Sequence, residues 1–246
     1  MPLMLLPLGD LGAIEHNGTV SFGLWLPWVS AAGGNAVTVK IIHEHDQFQQ
    51  QIAPSEFSMT HSIRAPYGDF WSVTVPIAGS PPPTTGSAWG TGGRYLYRYH
   101  IDNPQVGSLD WIIDPCAREF GLGKLSAFTL GYRSYSWSAS ESTWRVPELA
   151  DLVLYEMNIA EFGGSLEQAH NLMAYLADLG VNAIQVMPLS NVAISVDWGY
   201  LPIGYFGVDE RFGKRSDFQR FVDVAHQHGI AVIVDMVYGH TGIDFP

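Results

Sequence analysis

The spacing of apolar residues changes character about midway along the chain. From about Leu11 to Asn103, short alternating runs at Thr19–Pro27, Ala36–His43, Phe70–Pro76 and Arg94–Ile101 are divided by Gly, Pro, Ser and Asn. Alternation turns one face of each strand toward a core, and frequent turn residues give antiparallel connections, so residues 1–103 are predicted to form a β-sandwich. The stretch Gly79–Gly93, with Pro81, Pro82 and Pro83, is unsuited to a central strand and reads as a loop. Residues 104–150, rich in aromatic and small side chains, read as a connector packed on both halves. After Pro147 the period lengthens. Leu152–Ile159 is a strand, and Ser165 opens a helix with a Ser-x-x-Gln box to Gln168 that ends at Gly180. Its inward positions are Leu166, Ala169, Leu172 or Met173, Leu176 and Leu179. Val181–Met187 is a nearly continuous apolar strand, followed by a long loop, Pro188–Arg215. Ser216 repeats the box to Gln219, opening a helix with Phe218, Phe221, Val222 and Ala225 inward and Gly229 as its stop. Ile230–Val237 is a third strand. The order βαβαβ over residues 151–246 implies parallel strands with right-handed crossovers, as at the start of a (β/α)8 barrel or a doubly wound sheet. Three strands and two helices leave open edges, so this reading expects the chain to be part of a longer protein.

Composition narrows the chemistry. Of 246 residues, 47% are hydrophobic and only 15% charged, which excludes a disordered chain. Twelve Lys and Arg against 24 Asp and Glu give a net charge of −12, which disfavours nucleic acid and anionic membrane and suits a neutral ligand. One cysteine, Cys116, excludes an intramolecular disulfide and a multi-cysteine zinc site. Apolar runs such as Ile230–Val234 fall far short of the roughly 18 residues of a membrane span. The opening MPLMLLPLGDLG lacks a basic region and is broken by Pro2 and Pro7, so it is not read as a secretory signal, and a cytoplasmic location is expected.

In parallel α/β architectures ligands bind beyond the C-terminal ends of the strands. Four segments stand there or on the strands themselves: YEMNIAEFGG from Tyr155, VNAIQVMPL from Val181, DWGYLPIGYFGVDERFG (Asp197–Gly213) and VDMVYGHTG (Val234–Gly242). Together they resemble the α-amylase superfamily, glycoside hydrolase family 13, over about residues 152–246. The pattern is most like the N-terminal portion of glycogen branching enzymes and maltooligosyltrehalose trehalohydrolases. The first half, from GAIEHNGTVSFGLWLP to RYLYRYHID, resembles the immunoglobulin-like module those enzymes carry ahead of the barrel. The implied architecture is an immunoglobulin-like β-sandwich followed by the first three βα units of a (β/α)8 TIM barrel.

The resemblance also implies roles. Tyr200 matches the tyrosine that stacks beneath the sugar at the cleavage subsite. Asp235 matches an aspartate supporting that subsite, and His240 a histidine that bonds a hydroxyl of the same sugar. Trp198 and Tyr205 accompany them as substrate-binding candidates, while Asp209 and Arg211 are expected to hold the loop. The implied ligand is an α-glucan or maltooligosaccharide, with no nucleic acid or membrane as partner. Gly239 stands where many relatives have an asparagine calcium ligand, so no metal is expected, nor any other cofactor. Asn158 replaces a residue that is often histidine in this group. Retaining glycosidases need two carboxyl groups about 5–5.5 Å apart. The family carries its catalytic carboxylates on later strands, so no catalytic residue is assigned here and the 246-residue chain is expected to be inactive alone. Branching and trehalose-releasing chemistry both fit, and a non-catalytic glucan-binding module is the alternative from another class.

Other candidates have plainer readings. His43 and His45 lack a third ligand at metal-site spacing. His226 and His228 suit the last turn of a helix. Gly90–Gly93 precedes a strand, the wrong context for a phosphate cradle. Trp25, Trp28, Trp71 and Trp89 are expected in the core.

Overall fold

The alternating runs of the first half are strands. The computed structural model describes residues 9–65, 68–193, 198–243 and 245, in two units that divide between Tyr132 and Arg133. The apolar opening and Asp197, both used above, lie outside the described residues. In the first unit β1 (Gly12–His16), β2 (Thr19–Trp25), β3 (Ala36–His43), β4 (Ser55–Ser58), β5 (Thr60–Arg64), β6 (Gly68–Pro76) and β7 (Gly93–Asn103) are followed by β8 (Gly107–Ile112), β9 (Glu119–Gly121) and β10 (Leu125–Leu130). They form two antiparallel sheets, β1-β2-β6-β5 and β4-β3-β7-β10-β9, with β8 paired to β7. One core lies between them, with Val20, Phe22 and Leu24 from β2, Val37, Val39 and Ile41 from β3, and Tyr95, Tyr97 and Tyr99 from β7.

This corrects the expected boundary near Asn103. β8 and β10 both pair with β7, on the edge away from β3, and Phe128 of β10 stacks on Tyr95 at 5.3 Å, so residues 104–132 complete the sandwich instead of connecting it to the next unit. A buried carboxylate seals the join. Asp114 Oδ2 accepts the hydroxyls of Tyr97 (2.9 Å) and Tyr99 (3.0 Å), and its Oδ1 accepts the Cys116 amide (2.8 Å). Burial pushes the Asp114 carboxyl and both phenols above their ordinary values. The tryptophans divide. Trp71 and Trp89 are buried as expected and Trp25 is half-buried, but Trp28 is 93% exposed. It follows Pro27 in a turn at φ +67°, its amide donated to Asp69 Oδ2 (3.1 Å), so its side chain is carried outward.

In the second unit β11 (Leu154–Met157), β12 (Ala183–Val186) and β15 (Ala231–Val234) form a parallel sheet in the order β11-β12-β15. Between β12 and β15 lies a hairpin of β13 (Ser190–Val192) and β14 (Pro202–Val208). The helices α1 (Ile159–Phe162), α2 (Leu166–His170), α3 (Met173–Asp178) and α4 (Arg215–Gln227) supply Leu166, Met173, Leu176, Phe221 and Ala225 to a core against Met157, Ile184 and Val186.

Three local readings need revision. The strand read as Leu152–Ile159 stops at Met157, because Asn158 Oδ1 accepts the Ala160 amide (2.9 Å) and caps α1. The helix opened by Ser165, whose hydroxyl does accept the Gln168 amide (3.2 Å), breaks at Leu172 into α2 and α3. That break buries Met173 and leaves Leu172 and Leu179 exposed. The last helix begins one residue ahead of Ser216, and Asp217, not Gln219, reaches back to the Lys214 amide (2.7 Å).

Residues 135–144 are clasped onto α4. Asp223 accepts the Tyr135 hydroxyl (2.9 Å) and the Ser138 hydroxyl (2.6 Å), and Trp144 stacks on His226 at 4.2 Å. Among the described residues no helix is long and apolar enough to cross a membrane.

Candidate functional site

The parallel ladder runs one residue past its strands. The Met187 amide reaches the Met157 carbonyl and the Asp235 amide the Val186 carbonyl, both at 2.9 Å. Asp235 is therefore fixed at the C-terminal edge of the sheet. By strand alternation it shares a face with Ile233, opposite the face on which Val232 meets the helix core. Glu156 and Gln185 stand in register with Ile233 on that same face.

The hairpin brings the long loop to this edge. Fully buried Asp209 ties its two ends: its amide donates to the Leu189 carbonyl (2.8 Å), and its carboxylate accepts the Val192 amide (3.2 Å), the Arg211 amide (3.0 Å) and Arg211 Nε (2.9 Å). Asp209 and Arg211 thus have the holding contacts expected of them. Within the loop, Gly199 sits at φ +98°, and a Cβ there would lie 2.3 Å from the Pro188 carbonyl oxygen. Only glycine allows the approach that places Tyr200.

Tyr200, Asp235, His240 and Tyr205 come together. The Tyr200 hydroxyl donates to Asp235 Oδ2 at 3.0 Å, and His240 Nε2 lies 2.7 Å from the Tyr200 carbonyl oxygen. A carbonyl oxygen only accepts, so Nε2 carries a proton. In the neutral ring Nδ1 then holds the lone pair, on a side chain that is exposed. The Tyr205 hydroxyl donates to the His240 carbonyl (3.2 Å), and the Gly242 amide to the Pro202 carbonyl (2.8 Å), so loop and strand end are stitched at several points. Burial, then the hydrogen bond and negative charge of Asp235, with a smaller push from Glu156, hold the Tyr200 phenol above its ordinary value. It is a neutral donor at physiological pH.

Trp198 lies in the same loop, 60% exposed. Two residues that sequence reasoning passed over also belong here: Glu156, through its field on Tyr200, and Tyr238, whose ring stacks on Tyr205 at 5.9 Å. Glu156 faces the site only because strand alternation turns it there, and Tyr238, though inside the VDMVYGHTG segment, has no role implied by the resemblance. Among the described residues no group of three His, Cys, Asp or Glu side chains is arranged to hold a metal ion. The chemistry on offer is an aromatic ring, a carboxylate and an imidazole lone pair converging at one sheet edge, a set suited to a polyhydroxylated neutral ligand.

Residues 133–246 match the family described as alpha amylase, catalytic domain. A 1,4-alpha-glucan branching enzyme GlgB of Rhodospirillum rubrum is 29% identical over 233 residues, 89% of this chain and 28% of that protein. A malto-oligosyltrehalose trehalohydrolase of Brevibacterium helvolum is 35% identical over 233 residues, 94% of this chain and 34% of that protein. The chain therefore spans about a third of the length of these curated relatives. Among solved structures, the catalytic module of the glycogen-degrading pneumococcal virulence factor SpuA superposes with a TM-score of 0.68 at 20% identity, over 95% of this chain and 38% of that one.

Proposed function

We propose, on the premise that residues 133–246 belong to the α-amylase catalytic-domain family, that this chain is the substrate-binding part of an α-glucan-active enzyme. The observation that carries the reading is the linked set Tyr200–Asp235–His240, joined by bonds of 3.0 and 2.7 Å at the edge of a parallel sheet. In this reading Tyr200 stacks under a glucose ring, and Asp235 orients the phenol and reaches the sugar rim. His240 accepts a sugar hydroxyl at Nδ1, and Trp198 and Tyr205 line the approach. The three parallel strands are the first βα units of a (β/α)8 barrel, and the first unit is an immunoglobulin-like module ahead of it. The whole protein is most like a branching enzyme: it cleaves an α-1,4 bond through a covalent glycosyl-enzyme and passes the chain to a 6-hydroxyl. Trehalohydrolase-like transfer to water is the rival. The family's catalytic carboxylates have no counterpart assigned among residues 1–246, so this chain alone binds glucan without turning it over.

The test is calorimetric titration of the full chain with maltoheptaose. Tyr200→Ala and His240→Ala should each weaken binding, the first about tenfold by loss of aromatic contact. Retained affinity in both variants refutes the site. Product analysis of the whole protein, for new α-1,6 branches or for released trehalose, separates the two chemistries.

One observation favours glucan binding by the sandwich as a second reading. Trp111, 60% exposed and at φ +65°, lies with the Arg98 guanidinium 3.2 Å from its ring centroid. Asp110 beside it takes Lys40 Nζ at 3.1 Å. This is a rigid aromatic face bordered by polar groups, and an exposed residue held in a sparsely populated backbone region is a pointer to function. Binding lost in Trp111→Ala but kept in Tyr200→Ala would assign it to the sandwich.

A further inference from the structure

We propose that Tyr238 is a second sugar-stacking face, adjoining the Tyr200–His240 site, and that it makes the site prefer chains of several glucose units over short ones. The proposal rests on the function argued above and extends that site. Tyr238 lies between Asp235 and His240 and is 78% exposed. One face of its ring is covered: Tyr205 stacks on it at 5.9 Å with an interplanar angle of 22°. Tyr205 is itself held at two points, its hydroxyl donated to the His240 carbonyl at 3.2 Å and its ring set edge-on against Phe245 at 5.8 Å. Tyr238 therefore presents its other face to solvent on a support tied to the residue that would bind the sugar at the neighbouring position. A platform fixed before the ligand arrives loses little side-chain freedom on binding, which is how an exposed aromatic contributes affinity.

The chemistry of the ligand follows from the surroundings. Trp198 and Phe206, 60% and 52% exposed, come from the same loop and hairpin and add apolar faces, while the chain's net charge of −12 disfavours an anion. A neutral chain of sugar rings has repeated apolar C–H faces for such rings. Because Tyr238 stands beside the Tyr200–His240 pair instead of within it, a ligand must be long enough to reach both.

The experiment compares maltose and maltoheptaose binding by calorimetry in the full chain carrying Trp111→Ala, so that the sandwich face does not contribute. Adding Tyr238→Ala should weaken maltoheptaose about threefold to tenfold and leave maltose unchanged, and Tyr238→Phe should restore maltoheptaose binding because the ring face is kept. Unchanged maltoheptaose affinity in Tyr238→Ala overturns the proposal. Equal loss for both sugars also overturns it, since Tyr238 would then be acting through the His240 segment. If the Trp111→Ala chain binds neither sugar, the functional reading fails first, and this inference with it. Melting curves for each variant check that the fold is kept, which the exposure of the side chain favours.

Discussion

Replacing Gly199 by alanine should damage the candidate site from the backbone outward. At φ +98° the residue occupies a region that side chains with a Cβ rarely enter, and such strain costs on the order of 1–3 kcal/mol. The new Cβ would also stand 2.3 Å from the Pro188 carbonyl oxygen and 2.6 Å from the Pro188 ring Cβ, and Pro188 directly precedes Leu189, whose carbonyl is held by the Asp209 amide. The loop must yield by the better part of an ångström. Its next residue is Tyr200, whose carbonyl takes His240 Nε2 at 2.7 Å and whose hydroxyl reaches Asp235 at 3.0 Å. A displacement of that size breaks at least one of these bonds, and an ångström of misplacement at a site can cost about a hundredfold. Gly199→Ala is therefore expected to lower unfolding stability by about 2 kcal/mol and maltoheptaose affinity by tenfold or more, measured by urea melts and calorimetry. Gly229→Ala is the control. That glycine has φ +75° but nothing within 4 Å of the point where a Cβ would stand, so it should cost about 1 kcal/mol and leave binding alone. A Gly199→Ala chain with native affinity, or a Gly229→Ala chain equally impaired, would refute the close-approach argument.

Asp223→Asn should destabilise the second unit by about 2 kcal/mol, because a buried carboxylate accepting the Tyr135 and Ser138 hydroxyls loses its charge-assisted bonds. Burial pushes the Asp223 carboxyl up, but the Ser138 and Tyr135 bonds outweigh it and hold the group below its ordinary value. Its contribution is thus complete above the unfolded carboxylate range and lost as pH falls through the lowered folded value, so urea melts on the acid side should be flatter in Asp223→Asn than in wild type. Cys116, whose thiol burial pushes up to about 11, should resist a thiol reagent in the native chain at pH 8 and react on unfolding; rapid native labelling contradicts this. A double-mutant cycle of Tyr200→Phe and Asp235→Asn should give a coupling of about 1.5–3 kcal/mol in maltoheptaose binding or stability, and additive effects would mean that the 3.0 Å bond contributes nothing.

The parts of the fold legible in the sequence were those with a local signature. Strict alternation marked Ala36–His43 to the residue, and Gly180 and Gly229, both at positive φ, marked helix ends. The boundary near Asn103 misled because β8 is exposed along nearly its whole length and β10 is buried along nearly its whole length, so neither alternates. Their membership of the sandwich depends on pairing with β7 and on Asp114 meeting Tyr97 and Tyr99, contacts that no window of sequence contains. The break at Leu172 was hidden for a similar reason: Leu172 and Met173 serve equally in an apolar stripe, and tertiary packing chooses Met173. At the site, the resemblance to the α-amylase superfamily picked out Tyr200, Asp235 and His240, which the fold brings together across 35 and 40 residues. It could not reveal that His240 is tied to a backbone carbonyl, or that Tyr238 is backed by Tyr205.

Those hidden contacts decide what each side chain has left to offer a ligand. Tyr200 is engaged at both polar ends, its carbonyl by His240 and its hydroxyl by Asp235, so its ring is held in place and the ring faces are its means of recognition. His240 spends Nε2 on the loop, which leaves Nδ1 as an acceptor, and an acceptor needs a ligand with a donating hydroxyl. Two of the ties between loop and strand end, at the Tyr200 and Pro202 carbonyls, and the one at the His240 carbonyl all end on main-chain oxygens. A main-chain acceptor is present whatever side chain a position carries, so the geometry tolerates variation in the flanking residues while Gly199 and the side-chain donors Tyr205 and His240 do not. The preorganisation is therefore carried by few positions, and an aromatic face with a fixed acceptor beside it matches a sugar ring, apolar across its face and donating at its rim.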